Sequence, residues 1–362
     1  MRRRSPSSTR RGAAALLGAA ALVPLLSSCY VLGQGSKYLA LRSRAVPVAK
    51  ALADPLTPPA TRLLLERAGA VRAFAVAALG LKETRNYTSV ATLDADRLAT
   101  VVQACAELSF DRHLWSYPLV GKLPYRGYFD PEEARAEAER MKALGYDVIA
   151  RPVDAFSTLG WLADPLFSFM SGYGEAEVAD LVIHEMTHAT VFVRGGGGAE
   201  QFNEELATFV GREGSLLYLE KLHGPASPEL AEARRSRSDA EAFSAFLRGT
   251  AAELEALYAS GLAPEAKRRG KAEVIAARAA KFAADYDALF ETDRYRAFAM
   301  DRVNNAYLDL YRLYEGEPAL YADYLAKACG GDLGRFIQAM SRIASTKEGR
   351  ADPKAAMRRE LG

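Results

Sequence analysis

The chain has 362 residues, 49% of them apolar and 25% charged. It is too apolar to be disordered and long enough for one large core or two modest ones. The formal charge of +2 becomes −3 once the five arginines of the first 28 residues are set aside, so no basic face for nucleic acid is expected.

Those 28 residues form a leader. A basic start is followed by an uncharged run from Gly12 to Ser28. Its unbroken apolar part, Ala13 to Leu26, has the length of a signal-peptide core and is too short to span a bilayer comfortably. The ending Leu26-Ser27-Ser28-Cys29 resembles a bacterial lipobox, which implies cleavage before Cys29 and a lipid on its thiol. Tyr30 follows where an aspartate would favour inner-membrane retention, so the expectation is an outer-membrane anchor facing the periplasm. A plain secretory leader with a chance cysteine is the alternative. Beyond Cys29 only Cys105 and Cys329 remain. They could form one bridge or stay as buried thiols, and no Cys-x-x-Cys spacing exists to hold a metal.

Alanine- and leucine-rich helical stretches run to about Leu81, broken by the proline-rich ADPLTPPATR. From Asn86 to Asp154 the pattern turns β-like. ATVVQACAEL, HLWSYPLV and YDVIARPV read as strands, and Gly121 with KLPYRGYF reads as a hairpin. Between them a helix is predicted, with Asp130 as N-cap, Pro131 in its first position and Gly145 after its end. From about Gly174 onward helices are predicted over 175–193, 199–222, 239–261, 264–292 and 295–316. The charged segment from His223 to Asp239 is read as an exposed loop. The expected architecture is α+β, a small mixed sheet in the front half (29–173) and a mostly helical back half (223–362). The active-site helices (174–222) lie at the seam of a single domain.

At that seam stands His184-Glu185-Met186-Thr187-His188. On a helix the two histidines lie one turn apart and about 40° apart around the axis, so both rings can reach one ion. Neutral imidazole suits zinc, and a catalytic zinc takes three protein ligands and keeps one open position. Glu185 projects about 100° from His184, which suits a base acting on water better than a third ligand. The bland alternative is a buried helix with two satisfied histidines. Against it, two of only four histidines fall in the motif, on a helix apolar on most faces. The other two, His113 and His223, lack ligand spacing and read as ordinary surface or loop residues.

Position 194 is arginine, so a third histidine six residues on is ruled out. A carboxylate from a second helix is the other route, and Gly195 to Gly198 permit a tight reversal before it. Glu204 falls near the level of the histidines. Glu205 is its immediate rival, about 100° around, and Glu200 would need a less regular turn.

Asn203-Glu204-Glu205-Leu206-Ala207 resembles the segment that supplies the third zinc ligand in thermolysin-like and aminopeptidase-type gluzincins, which implies Glu204 as that ligand. More broadly, YRGYF (125–129), STLGW (157–161), HEMTH, FNEELATFVGREG (202–214) and NNAYLDLYRLY (304–314) resemble a family of predicted bacterial lipoprotein aminopeptidases. The resemblance extends over most of residues 30–320. It implies a zincin-like fold, one Zn2+ held by His184, His188 and Glu204, Glu185 as base, and hydrolysis of peptides from their amino ends. It also implies Tyr314 as a donor to the developing oxyanion, although tyrosines at helical spacing, Tyr307 and Tyr311 included, are commonly core. Two departures stand out: Ser116 and Lys122 occupy positions where the family has a cysteine pair, and four glycines fill the gap after His188. STLGW could line a peptide groove or form a structural turn around Trp161. Asn304 and Asn305 could bind substrate backbone or hold helices together, and Arg126 reads as structural. An endopeptidase of the same mechanism and a non-catalytic lipoprotein on the same scaffold are the rival functions.

Overall fold

The computed structural model describes residues 30, 33–117, 121–153, 163–194, 198–313 and 317–362. The leader, Cys29, STLGW and Tyr314 lie outside them. A helical stretch, 33–43 (α1), leads into α2 (Val48–Ala53) and α3 (Pro59–Leu79). Three small sheets then appear among the described residues. The first joins β1 (Val46–Pro47), β2 (Ser89–Ala91) and β8 (Leu166–Phe167), with β2 and β8 parallel.

The second sheet is antiparallel and has β3 (Ala99–Ala106) at its centre, flanked by β6 (Tyr125–Tyr128) and β7 (Tyr146–Val153). β3 is buried along almost its whole length, which explains its continuous apolar run. Helix α4 (Pro131–Ala143) covers this sheet with Ala134, Ala138 and Met141. It begins as predicted: the Asp130 carboxylate accepts from the Glu132 amide at 2.9 Å, and Pro131 follows. The predicted hairpin is β4 (Trp115–Tyr117) with β5 (Gly121–Leu123); Ser116 faces Lys122 across it, and Gly121 has φ +82°.

The rest is helical: α5 (Glu175–Thr190), α6 (Ala199–His223), α7 (Pro228–Ala259), α8 (Pro264–Ala284), α9 (Tyr286–Leu289), α10 (Asn305–Leu313), α11 (Pro318–Cys329), α12 (Leu333–Ser345), α13 (Lys347–Ala351) and α14 (Pro353–Leu361). The large core packs α3, α5 and α6 against α11, α12 and α14. A second, aromatic core joins α7, α8 and α10 around Phe243, Phe246 and Phe282.

The segment 223–239 is mostly helix, not an exposed loop. Ser227 caps α7 by accepting from the Leu230 amide, and Pro228 and Glu229 fill its first turn. The charges of this run pair along the helix, Arg235 with Glu232 and Arg237 with Glu241, while Leu230 and Asp239 are buried. The expected helices over 264–292 and 295–316 are also shorter. The buried Asp239 carboxylate collects the amides of Glu291 and Thr292 at 2.7 and 2.9 Å and so pulls them out of a helical ladder. Cys105 and Cys329 are both buried free thiols.

No helix of the described residues is long and apolar enough to cross a membrane.

Candidate metal centre and active site

Helix α5 carries the histidine pair through the middle of the large core. The Glu177 carboxylate accepts from the Gly174 amide at its start, and Val178, Val182, Ile183 and Met186 bury its apolar faces. His184 and His188 emerge on one side with their Nε2 atoms 3.1 Å apart. Burial, then the neighbouring His188 and the Arg212 charge, hold His184 down at about 3; burial holds His188 at about 4. Both rings are therefore neutral at pH 7, with ring lone pairs available to a cation.

Helix α6 returns alongside α5 and brings Glu204 to the pair. Its Oε2 lies 3.7 Å from His184 Nε2 and its Oε1 3.4 Å from His188 Nε2. One donor atom from each of the three residues falls within 4.8 Å of the others. A tetrahedral ion bound at zinc distances separates its donors by roughly 3.3 Å, so the cluster fits a divalent metal with little movement. Glu204 stays half exposed, so the cluster is within reach of solvent.

Glu205 does not compete. Its carboxylate is buried, 2.7 Å from Lys354 Nζ, and accepts from the Tyr321 hydroxyl at 3.0 Å and from Gln201 at 2.8 Å. The 100° step between the neighbours sends one glutamate to the histidines and the other to the α14 side.

Two features set this geometry; their residues fall in motifs quoted from the sequence, but their packing roles were not legible there. Asn203 is buried, and its side chain bonds both the amide and the carbonyl of Val193, each at 2.9 Å. It thereby locks the start of α6 to the chain leaving α5. Replacing Asn203 by alanine should strand both Val193 groups and lower stability by about 2–3 kcal/mol, seen as an earlier urea midpoint. Further along, a Cβ at Gly211 would overlap the Asp180 carboxylate and lie 3.3 Å from His184 Cβ, and one at Gly214 would press on Ile183 at 3.0 Å. Glycine costs a helix interior roughly 1 kcal/mol, and here it permits the close approach of α6 to α5. The two glycines seven and ten residues after Glu204 were the available signal.

Glu185, one residue past the first histidine, is 9% exposed. Burial first, then the Glu204 and Asp164 carboxylates, push its carboxyl up to about 7. Asp164 is itself tied down: its carbonyl accepts from the Tyr87 amide at 2.7 Å, its amide donates to Asn86 Oδ1, and its carboxylate accepts from the Tyr38 hydroxyl. Tyr87, buried with φ +59°, and Tyr38 both lie within electrostatic range of Glu185.

The remaining candidates fall elsewhere. Asn305 donates to the carbonyls of Ala106, Glu107 and Ser109 and accepts from Tyr258, while Asn304 donates to Val148. Both are structural ties between helices and sheet. Arg126 stacks on Tyr30 at 4.1 Å and approaches the buried Glu137, which is also structural. His223 bonds Glu175 at 2.6 Å, and His113 packs edge-on against Trp115 and Tyr146. Tyr307 and Tyr311 hydroxyls meet at 3.3 Å beside the aromatic core.

No curated protein and no solved structure matches the chain. Residues 29–355 match the model of the family described as "Putative aminopeptidase", and the chain belongs to that family.

Proposed function

We propose that the protein is a single-zinc peptidase that removes residues from the amino ends of peptides, on a zincin-like scaffold of gluzincin type. The observation that carries this reading is the meeting of two neutral imidazoles and one carboxylate from a second helix, beside a buried glutamate that is not among the donors. Two nitrogens and one carboxylate oxygen form a donor set typical of catalytic zinc. His184 and His188 would hold the ion through Nε2 and Glu204 through its carboxylate. When bound, zinc supplies a Lewis acid for the peptide carbonyl and lowers the pKa of water.

The chain's own residues do the proton work. With a carboxyl pushed up to about 7, Glu185 is poised to take a proton from the attacking water near neutral pH. A new C–O bond forms at the peptide carbonyl. Glu185 then returns the proton to the leaving nitrogen as the C–N bond breaks. Tyr314, on which the resemblance alone bears, would donate to the oxyanion. The lipobox-like leader supports attachment to the outer membrane through Cys29.

Zinc stoichiometry and a peptide library with free and acetylated amino ends test the proposal together. About one zinc per chain is expected, with single-residue losses from free amino ends only. A metal-free, inactive protein would overturn it, and internal cuts in the acetylated set would reassign it as an endopeptidase.

A further inference from the structure

Cleavage after the first residue of a peptide requires recognition of that residue's α-ammonium. Standard bond lengths put that nitrogen about 2.5 Å from the carbonyl carbon under attack. Its anchor must therefore stand beside the metal cluster and the base, and a carboxylate is the partner that suits it. Among the described residues, the carboxylates whose charge is felt at Glu185 are those of Glu204 and Asp164. Glu204 converges with the histidines on the metal position, which leaves Asp164.

Hydrogen bonds hold Asp164 in place just before β8. Its carbonyl accepts from the Tyr87 amide at 2.7 Å, and its amide donates to Asn86 Oδ1 at 3.2 Å. Its carboxylate accepts from the hydroxyl of Tyr38 on α1. The two tyrosines bonded to Asp164 also feel the charge of Glu185, so the network stands at the base. Tyr87 is the only non-glycine with positive φ among the described residues, and such backbone clusters at active sites and ligand clamps. Both tyrosines are buried, whereas Asp164 keeps some solvent exposure. A carboxylate offers about four acceptor sites, of which the Tyr38 hydroxyl takes one. Arg42, one turn beyond Tyr38, brings a positive charge within range of that hydroxyl. Against this one guanidinium stand the carboxyl groups of Asp164, Glu185 and Glu204.

We propose that Asp164 binds the α-ammonium of the substrate's first residue, with Tyr38 as the positioning residue that orients its carboxylate. The assignment rests on the aminopeptidase reading and deepens it. An ammonium seated on Asp164 fixes the cut after one residue, because it ties the amino end to the side of the base. An acetylated amino end carries no charge for Asp164 to meet.

Equilibrium binding to the zinc-loaded full chain carrying Glu185→Gln tests this without hydrolysis. The probes are tetra-alanine amide and propionyl-trialanine amide, which differ only by hydrogen in place of the ammonium. At about pH 7, where the amine is mostly protonated, at least about a tenfold preference for it is expected. Adding Asp164→Asn should reduce that preference below about twofold, while propionyl-probe affinity, zinc content and melting temperature stay constant. Asparagine keeps an acceptor for Tyr38 and loses only the charge. Tyr38→Phe keeps the charge and removes the orienting hydroxyl, so the preference should shrink at least about threefold. That variant decides the matter if the asparagine variant fails to fold. Equal affinity for both probes, no binding of either, or a preference unmoved by these substitutions would overturn the proposal. A preference lost with Asp164 in a chain that hydrolyses no library peptide would sink the peptidase reading alone. Removal of amino-terminal residues by the unmodified chain, with the preference surviving Asp164→Asn, would sink the Asp164 assignment alone.

Discussion

Glutamine in place of Glu185 should leave about one metal ion per chain and cut peptide hydrolysis by at least about a hundredfold, since a positioned base contributes 10²–10⁴. The metal is retained because the converging donors belong to His184, His188 and Glu204. Activity is lost because an amide of the same shape cannot accept the water's proton. The fold should survive as well. Burial already disfavours the charged carboxylate at this position, so a neutral side chain adds no desolvation cost. Metal content and kcat/KM on one substrate, measured on the same preparation, decide the matter. Hydrolysis within tenfold of the unsubstituted chain would remove Glu185 from its role.

The adjacent glutamates should behave in opposite ways. Alanine at 204 removes one of three donors, and metal affinity should fall by at least about a hundredfold with little change in the melting of the metal-free protein. Losing an outer partner of a ligand already costs 10–100-fold, and losing the ligand itself costs no less. Alanine at 205 leaves the donors intact but strips Lys354 and the Tyr321 hydroxyl of their acceptor inside the core. Breaking a fully buried ion pair costs 3–5 kcal/mol; Lys354 keeps some solvent contact, so about 2–3 kcal/mol is expected here. Metal titration and urea unfolding of the two variants separate the roles. Metal loss in the 205 variant, with binding intact in the 204 variant, would exchange them.

The histidine pair was legible because helical spacing is a local property. Four residues bring two side chains to one face whatever surrounds the helix. The N-cap at Asp130 and the hairpin glycine at 121 were legible for the same reason, since each is decided within a few residues. Elsewhere local reading failed. The charged run before Asp239 lacks loop geometry because its charges pair one turn apart and Leu230 finds a place in the core. Asn304 and Asn305 stayed ambiguous because the carbonyls in the sheet to which they donate lie more than 150 residues away.

The amino-acid order by itself determined the chemistry on offer: two imidazoles one helical turn apart, a glutamate between them that faces another way, and three acids after a run of four glycines. Which of those acids meets the histidines was decided only when α6 packed on α5. Asn203 grips Val193, Gly211 and Gly214 admit the close approach, and Lys354 with Tyr321 draws Glu205 to the opposite side. A step of 100° separates neighbouring side chains on a helix, and only contacts from distant parts of the chain can choose which of them faces the cluster.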